Sequence, residues 1–530
     1  MGLSERTGLG VRVLSASAMA AVDRRAIDEL GIPGAVLMEN ACAGLAEVVA
    51  DVFPAAVRIV IVCGPGNNGG DGLGLVRHLD ARGYRVEAFL VRGERRPAGD
   101  AGLQLDILER SGRRVTEWVT TNPDRTVLDR LIAATSTADL VVDALFGTGL
   151  SRPLADGFAE VVRHLDTITP PVLAVDLPSG LDGSRPNPIG PYLHATCTVT
   201  FAAPKIAHVL TTTEAVGELV VVDLAIPPEL IEEAEGSWHL TTEAEATDLV
   251  TALAAPDEAH KGTFGHALVI GGSTGKAGAA VLAARGALRS GAGLVTAAVP
   301  NELVAPVDGA SWESMTLGFA PSTDLDTLLL AASERDAVAL GPGLGTDAET
   351  AAMVCDLVAR IEAPLVLDAD GLNAMVGALP VLTDRAASGH ATVLTPHPGE
   401  AARLLGSTAA EVQADRPAAA LALAERTGAV VVLKGHRSLI AEPDGTLWIN
   451  PTGGPALGTG GTGDVLTGML VGMLARRDRF DAAVVARLAV YVHGLAGELA
   501  ATANGRHATL AGDLIDHLPA AWCRLGDERR

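Results

Sequence analysis

Residues 57–72 read VRIVIVCGPGNNGGDG, an aliphatic run followed at once by five glycines in nine residues. The run has the composition of a strand buried on both faces, because a half-exposed strand would alternate apolar with polar residues. A buried strand that ends in a glycine-rich turn is the start of a βα unit in a doubly wound sheet. Glycines there let an anionic ligand approach backbone N–H groups, and Asn67, Asn68 and Asp71 keep polar side chains within reach of it.

The pattern repeats along the chain. YRVEAFLV, ADLVVDALF, PVLAVDLP and GELVVVDLAIP read as further strands, with helices expected over residues 73–81, 102–110 and 155–165. Ligands of such sheets sit beyond the carboxyl ends of the strands. GPGNNGGDG, DALFGTGL from Asp143, DLPSGLDG from Asp176 and APK from Ala203 all fall there. Residues 226–257 are acidic and short of strand signals, and are read as the crossing between two domains, 1–235 and 240–530. A second α/β series follows, through GHALVIGGSTGKAGAAVLAARGALRSGAGLVT, DAVALGPGLG, PLVLDADG, ATVLTPHPGE and AVVVLKGHRS, and it ends in GTGGTGDVLTGMLVGMLARR.

Length and composition agree with two α/β domains. The chain has 530 residues, 48% of them hydrophobic but only 3% aromatic, which calls for cores of Ala, Val and Leu. A formal charge of -24 argues against nonspecific nucleic-acid or anionic-membrane binding, both of which need a basic surface. The longest uncharged apolar stretch, residues 465–475, is closed by Asp464 and Arg476 and falls short of the roughly 18 residues that span a bilayer. No targeting segment is read at the N-terminus, so a cytoplasmic protein is expected, and a homo-oligomer is the expected assembly. Cys42, Cys63, Cys197, Cys355 and Cys523 show no metal spacing and read as buried reduced thiols.

Only four lysines occur, Lys205, Lys261, Lys276 and Lys434, each in a Gly- or Pro-bearing segment. A compact ammonium beside bare backbone is a candidate phosphate contact, with a solvated surface residue as the alternative. In GGTGDVLTGM, Gly460, Gly461 and Gly463 open a helix whose N–H groups can cradle phosphate oxygens. Asp464 in its first turn can take a hydroxyl proton during attack on a phosphoryl group, or can simply cap the helix. Neither a Walker A nor a GxGxxG run is completed.

Taken together these motifs resemble known families. Residues 1–230 resemble NAD(P)H-hydrate epimerase domains, through GPGNNGGDG, VVDALFGTGL, DLPSGLDG and TFAAPK. Residues from 245 onward resemble the ribokinase-like ATP- or ADP-dependent NAD(P)H-hydrate dehydratases, through HKGTFGHALVIGGS, GPGLG, DADGLN, TPHPGE, LKGH and GGTGD. The arrangement is similar to that of bifunctional NAD(P)H-hydrate repair enzymes. The resemblance implies a Rossmann-like N-terminal sheet, a ribokinase-like C-terminal domain, and a substrate that is NADH or NADPH with water added at C6 of the reduced ring. The first domain would interconvert the two C6 epimers. The second would dehydrate the S epimer while ADP, preferred because the composition looks bacterial, goes to AMP and phosphate.

Carried over by resemblance, Asn67, Asn68, Gly69, Gly70 and Asp71 line the dinucleotide site with Gly147, Thr148, Gly149, Leu150, Ser151, Arg152 and Pro153. Asp176 is the acid/base candidate, and Asn68, Asp143 and Ser179 would hold potassium. For Asp143 and Asp176, capping of the loops they open is the alternative. In the second domain Ala280, Gly343, His397 and Asp464 would contact the hydrate, with Asp464 as catalytic base. Lys434, Gly435, His436, Arg437, Ser438 and Gly463 would contact the nucleotide. His397 between prolines is a substrate contact or a loop-stabilising group, and Glu400 either places magnesium or opens a helix. Lys276 stands where the family carries an apolar residue, and Ile206 follows APK where a glycine is common, which leaves the role of Lys205 open. The rival expectation is a small-molecule kinase fused to an N-terminal nucleotide-binding regulatory domain, since GTGD alone does not separate transient from final phosphorylation.

Overall fold

The computed structural model describes residues 10–253, 258–476 and 480–526. The chain divides into two compact units, Val11–Gly236 and a second from Ser237 onward. In the first, β1 (Arg58–Cys63), β2 (Arg85–Arg92), β3 (Val115–Val119), β4 (Leu140–Ala144), β5 (Val172–Val175), β6 (Cys197–Phe201) and β7 (Glu218–Val222) form one sheet. Its order is β3-β2-β1-β4-β5-β6-β7, and every pairing is parallel. The aliphatic run of β1 has its cause in the two layers that cover it. Ile59, Ile61 and Cys63 enter one apolar cluster and Val60 and Val62 the other. Strand order reverses between β1 and β4, and the loops leaving these two strands part there to open a crevice.

In the second unit the strands are β8 (Trp238–Leu240), β9 (His266–Ile270), β10 (Leu294–Pro300), β11 (Met315–Phe319), β12 (Ala337–Leu340), β13 (Leu365–Leu367), β14 (Thr392–Leu394), β15 (Val430–Leu433), β16 (Leu439–Ala441) and β17 (Leu447–Ile449). They run in the order β8-β17-β16-β15-β14-β13-β12-β9-β10-β11. The pairings are parallel except β15 with β16 and β16 with β17, which form an antiparallel meander. The helix Thr462–Leu474 packs on the Ala-rich helix Ala277–Arg289 so closely that a Cβ at Gly468 would lie 2.0 Å from the Ala283 carbonyl oxygen. Small residues on both helices allow that approach and bring the start of Thr462–Leu474 over the strand ends. The helix Ala482–Asn504 is long and apolar enough to cross a membrane by length and composition, but 72% of its apolar window is buried inside the protein.

Four sequence readings are corrected. Residues 226–257 do contain a strand, β8, which pairs in parallel with β17, so residues from Ser237 belong to the second unit. The first helix begins at Asn67 rather than at 73, so the second half of the glycine stretch is helical rather than loop. Strands β3 and β6 were not read at all. β6, CTVTF, hides its burial behind two threonines; Thr198 satisfies its hydroxyl on the Val216 carbonyl at 2.6 Å. Of the thiols, Cys42, Cys63 and Cys197 are buried as expected, Cys355 is half-buried and Cys523 is exposed.

Candidate active sites

The loops after β1 and β4 enclose a cavity of about 510 Å³ in the first unit. Asn67, Asn68, Asp71, Gly147, Thr148, Gly149, Leu150 and Asp176 line it. Gly69 and Gly70 are buried behind it, and Ser151, Arg152 and Pro153 stand exposed outside its lining. The glycines of residues 64–72 are required more by packing than by a ligand. A Cβ on Gly69 would come within 1.8 Å of the Gly64 carbonyl oxygen, whereas Gly66 faces open space. The helix Asn67–Ala81 starts with no side-chain cap on its free N–H groups, an arrangement that suits an anion.

Asp176 follows β5 in the left-handed region, φ 62°, a backbone that costs an ordinary residue about 1–3 kcal/mol unless its surroundings impose it. They do so here: its N–H donates to the Val199 carbonyl at 2.7 Å, and its own carbonyl accepts from His208 Nε2 at 2.6 Å. Because Lys205 N–H donates to His208 Nδ1 at 2.8 Å, Nε2 is the protonated nitrogen. Burial, then the neighbouring Lys205 ammonium, lower the His208 pKa to about 4, so the ring is neutral. The Asp176 carboxylate faces the cavity. Its Oδ1 accepts from Lys205 Nζ at 2.9 Å and Thr200 Oγ1 at 3.1 Å, and its Oδ2 from Thr148 N–H at 3.0 Å. Burial alone would raise its pKa, but Lys205, His208 and these hydrogen bonds outweigh that and hold it at about 2. It is an ionised carboxylate fixed at both oxygens.

The three residues expected to hold potassium are arranged differently from one another. Asp143 is fully buried. Its Oδ1 accepts from Ser179 Oγ at 2.7 Å and its Oδ2 from Ser179 N–H at 2.8 Å, while Ser179 Oγ accepts from Phe146 N–H at 3.0 Å. That pair therefore clamps the loops after β4 and β5 together. Burial first, opposed by the Ser179 bonds, raises the Asp143 pKa to about 6. Asn68 is the one of the three that lines the cavity, and both its side-chain Oδ1 and Nδ2 are buried without a hydrogen-bond partner among the described residues.

In the second unit a cavity of about 340 Å³ is lined by Lys434, Gly435, His436, Arg437, Ser438 and Gly463, all six expected nucleotide contacts, together with Asn450, Thr452 and His493. Arg437 has φ 53°. Arg416 holds this turn by donating to the Leu433 and Arg437 carbonyls, each at 3.3 Å, and to that of His436. Lys434 Nζ donates to Asp368 Oδ1 at 2.8 Å, and Asp368 also accepts from Thr395 Oγ1 and Thr467 Oγ1, both at 2.8 Å. Burial would lower the Lys434 pKa, yet Asp368, Glu400 and Asp464 raise it. A Cβ on Gly463 would sit 3.4 Å from Lys434 Nζ, so the ammonium stands beside the glycine-rich helix start.

Asp464 occupies the first turn of Thr462–Leu474, whose N-cap Gly461 has φ 94° and no capping side chain. Burial, then Asp368 and Asp370, raise its pKa to about 6 against the pull of Lys434. The expected hydrate contacts fall outside this cavity. Ala280 is fully buried in the apolar core, and Gly343, His397 and Asp464 lie outside the lining of the 340 Å³ cavity. His397 caps the helix Pro398–Leu405: Nδ1 accepts from Gly399 N–H at 3.0 Å, and Glu400 Oε2 accepts from His397 N–H at 2.8 Å. Glu400 is thus engaged as a helix-start carboxylate. Lys276 pairs with Asp370 at 3.1 Å and the side chain stays half exposed.

Sequence reasoning missed Thr200 and His208 behind Asp176, Asp368 behind Lys434, and Asp23 on the first cavity. A signal existed for Lys205 and Lys434 in the scarcity of lysine. Three of the four lysines end on a carboxylate, two of them, Lys205 and Lys434, on one that directly follows a strand.

A family model described as NAD(P)H-hydrate dehydratase matches residues 267–520, and one described as YjeF-related protein N-terminus matches residues 34–207. The bifunctional NAD(P)H-hydrate repair enzyme Nnr of Moorella thermoacetica is 42% identical over 97% of this chain and 97% of its own. The one from Salinibacter ruber is 38% identical over 100% of both. Among solved structures, the ADP/ATP-dependent NAD(P)H-hydrate dehydratase from Bacillus subtilis, co-crystallised with ATP and Mg2+, is 34% identical and covers 54% of this chain and 97% of its own, with a TM-score of 0.45. With matches that run almost end to end and a separate family model on each unit, the chain belongs to the family of bifunctional NAD(P)H-hydrate repair enzymes.

Proposed function

We propose that the chain repairs hydrated NADH and NADPH in two steps, epimerisation in the first unit and nucleotide-driven dehydration in the second. The observation that carries this reading is that each unit sets a paired lysine and carboxylate near an uncapped glycine-bearing helix start: Lys205 with Asp176 in the first, and in the second Lys434 with Asp368, with Asp464 as a further charged neighbour in the first turn of the helix. The first cavity takes the dinucleotide, with its pyrophosphate at the start of Asn67–Ala81. In the second, Asp464 takes the proton of the C6 hydroxyl as that oxygen attacks the terminal phosphoryl group of ADP. The resulting phosphate ester is a good leaving group, and its departure restores the ring double bond. Lys434 and the N–H groups of the helix start stabilise the charge that develops on the phosphoryl oxygens.

Potassium fits the first site through the orphaned Asn68 Oδ1 together with Asp143 and Ser179, an all-oxygen set suited to a hard cation. When bound it would offset pyrophosphate charge. Among the described residues no group of three or more His, Cys, Asp or Glu side chains gathers to hold a metal, so magnesium would enter on the nucleotide phosphates. The test is to incubate purified protein with both hydrate epimers and ADP, following the absorbance of reduced nicotinamide and the release of AMP and phosphate. Recovery of both epimers is expected. A stable phosphorylated product would instead identify a kinase.

A further inference from the structure

The 510 Å³ cavity is lined by carboxylates from several elements and by one ammonium. Asp176 comes from the end of β5, Asp71 from the helix Asn67–Ala81, Asp23 from the helix Ala16–Asp28, and Asp100 from the helix Gly99–Arg110. The ammonium, Lys205, is fully spent: its donors go to Asp176 Oδ1, Thr200 Oγ1 and the Phe201 carbonyl. The helix Gly34–Val52, packed against Asp71, adds no cation. Its Glu39 is tied to Arg77 and His78, and its Cys42 thiol donates to the Asp71 backbone carbonyl at 3.3 Å. Asp143, behind the loop after β4, is closed onto Ser179.

Asp71 is therefore a carboxyl only 9% exposed, opening on the cavity, with no hydrogen-bond partner for its side chain among the described residues. Carboxylates that outnumber the one ammonium among them do not all ionise, and two carboxyl groups whose surroundings drive them apart mark the acid and the base of a site. Resting on the repair reading above, we propose that Asp71 is the general acid of the epimerisation, working opposite Asp176 as base, with Asp23 as the neighbour that keeps Asp71 protonated. Burial first, then Asp176 and Asp23, raise the Asp71 pKa well above the usual range against the pull of Lys205, in the opposite direction to Asp176.

The step is a ring opening. The C6 hydroxyl gives its proton to Asp176 and becomes an aldehyde as the C6–N1 bond breaks onto nitrogen, which takes the proton of Asp71. Rotation about C5–C6 and reversal of both transfers closes the ring on the other face, with no net oxidation and each carboxyl restored. Loss of water to an iminium is a poorer route, since that ion would shed its C5 proton and regenerate the reduced ring without any nucleotide.

The experiment uses the full chain and pure R hydrate, following interconversion across pH. Wild type should lose rate on an alkaline limb. Asp71→Asn should slow epimerisation by about 10²–10⁴ and abolish that limb, with dehydration of S hydrate and the unfolding midpoint as controls for folding. Asp23→Asn should move the limb to lower pH, because removing a like charge lowers the pKa of Asp71. A wild-type rate and limb in Asp71→Asn, or an unmoved limb in Asp23→Asn, overturns the proposal. If the limb persists in Asp71→Asn while a potassium-dependent rise in midpoint disappears, Asp71 is a cation ligand and the proposal also falls. A wild-type protein that interconverts nothing refutes the repair reading itself.

Discussion

Lys205 and Asp176 form an ion pair, Nζ to Oδ1 2.9 Å, in which the lysine side chain is 2% exposed and every proton on its ammonium has an acceptor. Breaking such a pair from one side leaves a buried charge alone, which costs about 3–5 kcal/mol. Lys205→Met should therefore lower the stability of the first unit by that order in denaturant unfolding and abolish epimerisation. Dehydration of pure S hydrate by the second unit should persist.

The pair also has a pH signature. The folded pKa of Asp176, about 2, lies below its unfolded value, so its contribution is complete above pH 4 or so and is lost as pH falls through about 2. Acid titration of Asp176→Asn beside wild type should show the two stability curves converging over that window.

Asp464 carries the opposite shift and predicts a rate profile. A base with a pKa of about 6 works in its ionised form, so dehydration should rise with pH through about 6 and level off above it. Asp464→Asn should lose about 10²–10⁴ in rate and flatten the profile, with epimerisation unchanged. Single-turnover rates on S hydrate with ADP measure both.

Asn68 offers a test of potassium that does not depend on activity. Its two orphaned polar atoms make Asn68→Leu harmless or slightly stabilising in sodium buffer. Wild type should gain unfolding temperature on exchange of sodium for potassium, and Asn68→Leu should not. An equal response in both would remove Asn68 from the cation site.

The boundary between the units can be located by truncation. A fragment beginning at residue 237 keeps β8, whereas one beginning at 240 removes Trp238 and His239 from their pairing with Leu447 and Trp448. The longer fragment should unfold at the higher temperature, and both should retain nucleotide binding, since no residue lining the 340 Å³ cavity belongs to β8.

How much of this was legible depends on what each residue type announces. β1 announced itself because burial on both faces leaves only aliphatic residues along it, and Asp464 because a carboxylate inside a glycine-opened helix start is unusual. β6 and β8 stayed hidden for contrary reasons. Threonines in β6 are buried yet polar, satisfied by partners distant in sequence, and β8 is three residues long and pairs with β17, about two hundred residues away. His208, Thr200 and Asp368 do their work by orienting other residues, and a side chain that orients another leaves no local pattern. The glycines of residues 64–72 were legible as essential, but the reason for four of the five is close packing, of Gly64 and Gly72 on the end of β4, of Gly69 on Gly64 and of Gly70 on Met38 and Ala101.

The placement of β8 has a consequence for the order in which the protein is made. All seven strands of the first sheet lie within residues 58–222, so that unit can close while the rest is still on the ribosome. β8 emerges next, but β17 arrives only at Leu447, about two hundred residues later. In between, at translation speeds of roughly 5–20 residues per second, the segment waits tens of seconds for this partner. The nascent second unit thus shows an open strand edge until synthesis is nearly complete, and a chaperone that shields such edges would act on this protein before its last hundred residues are made.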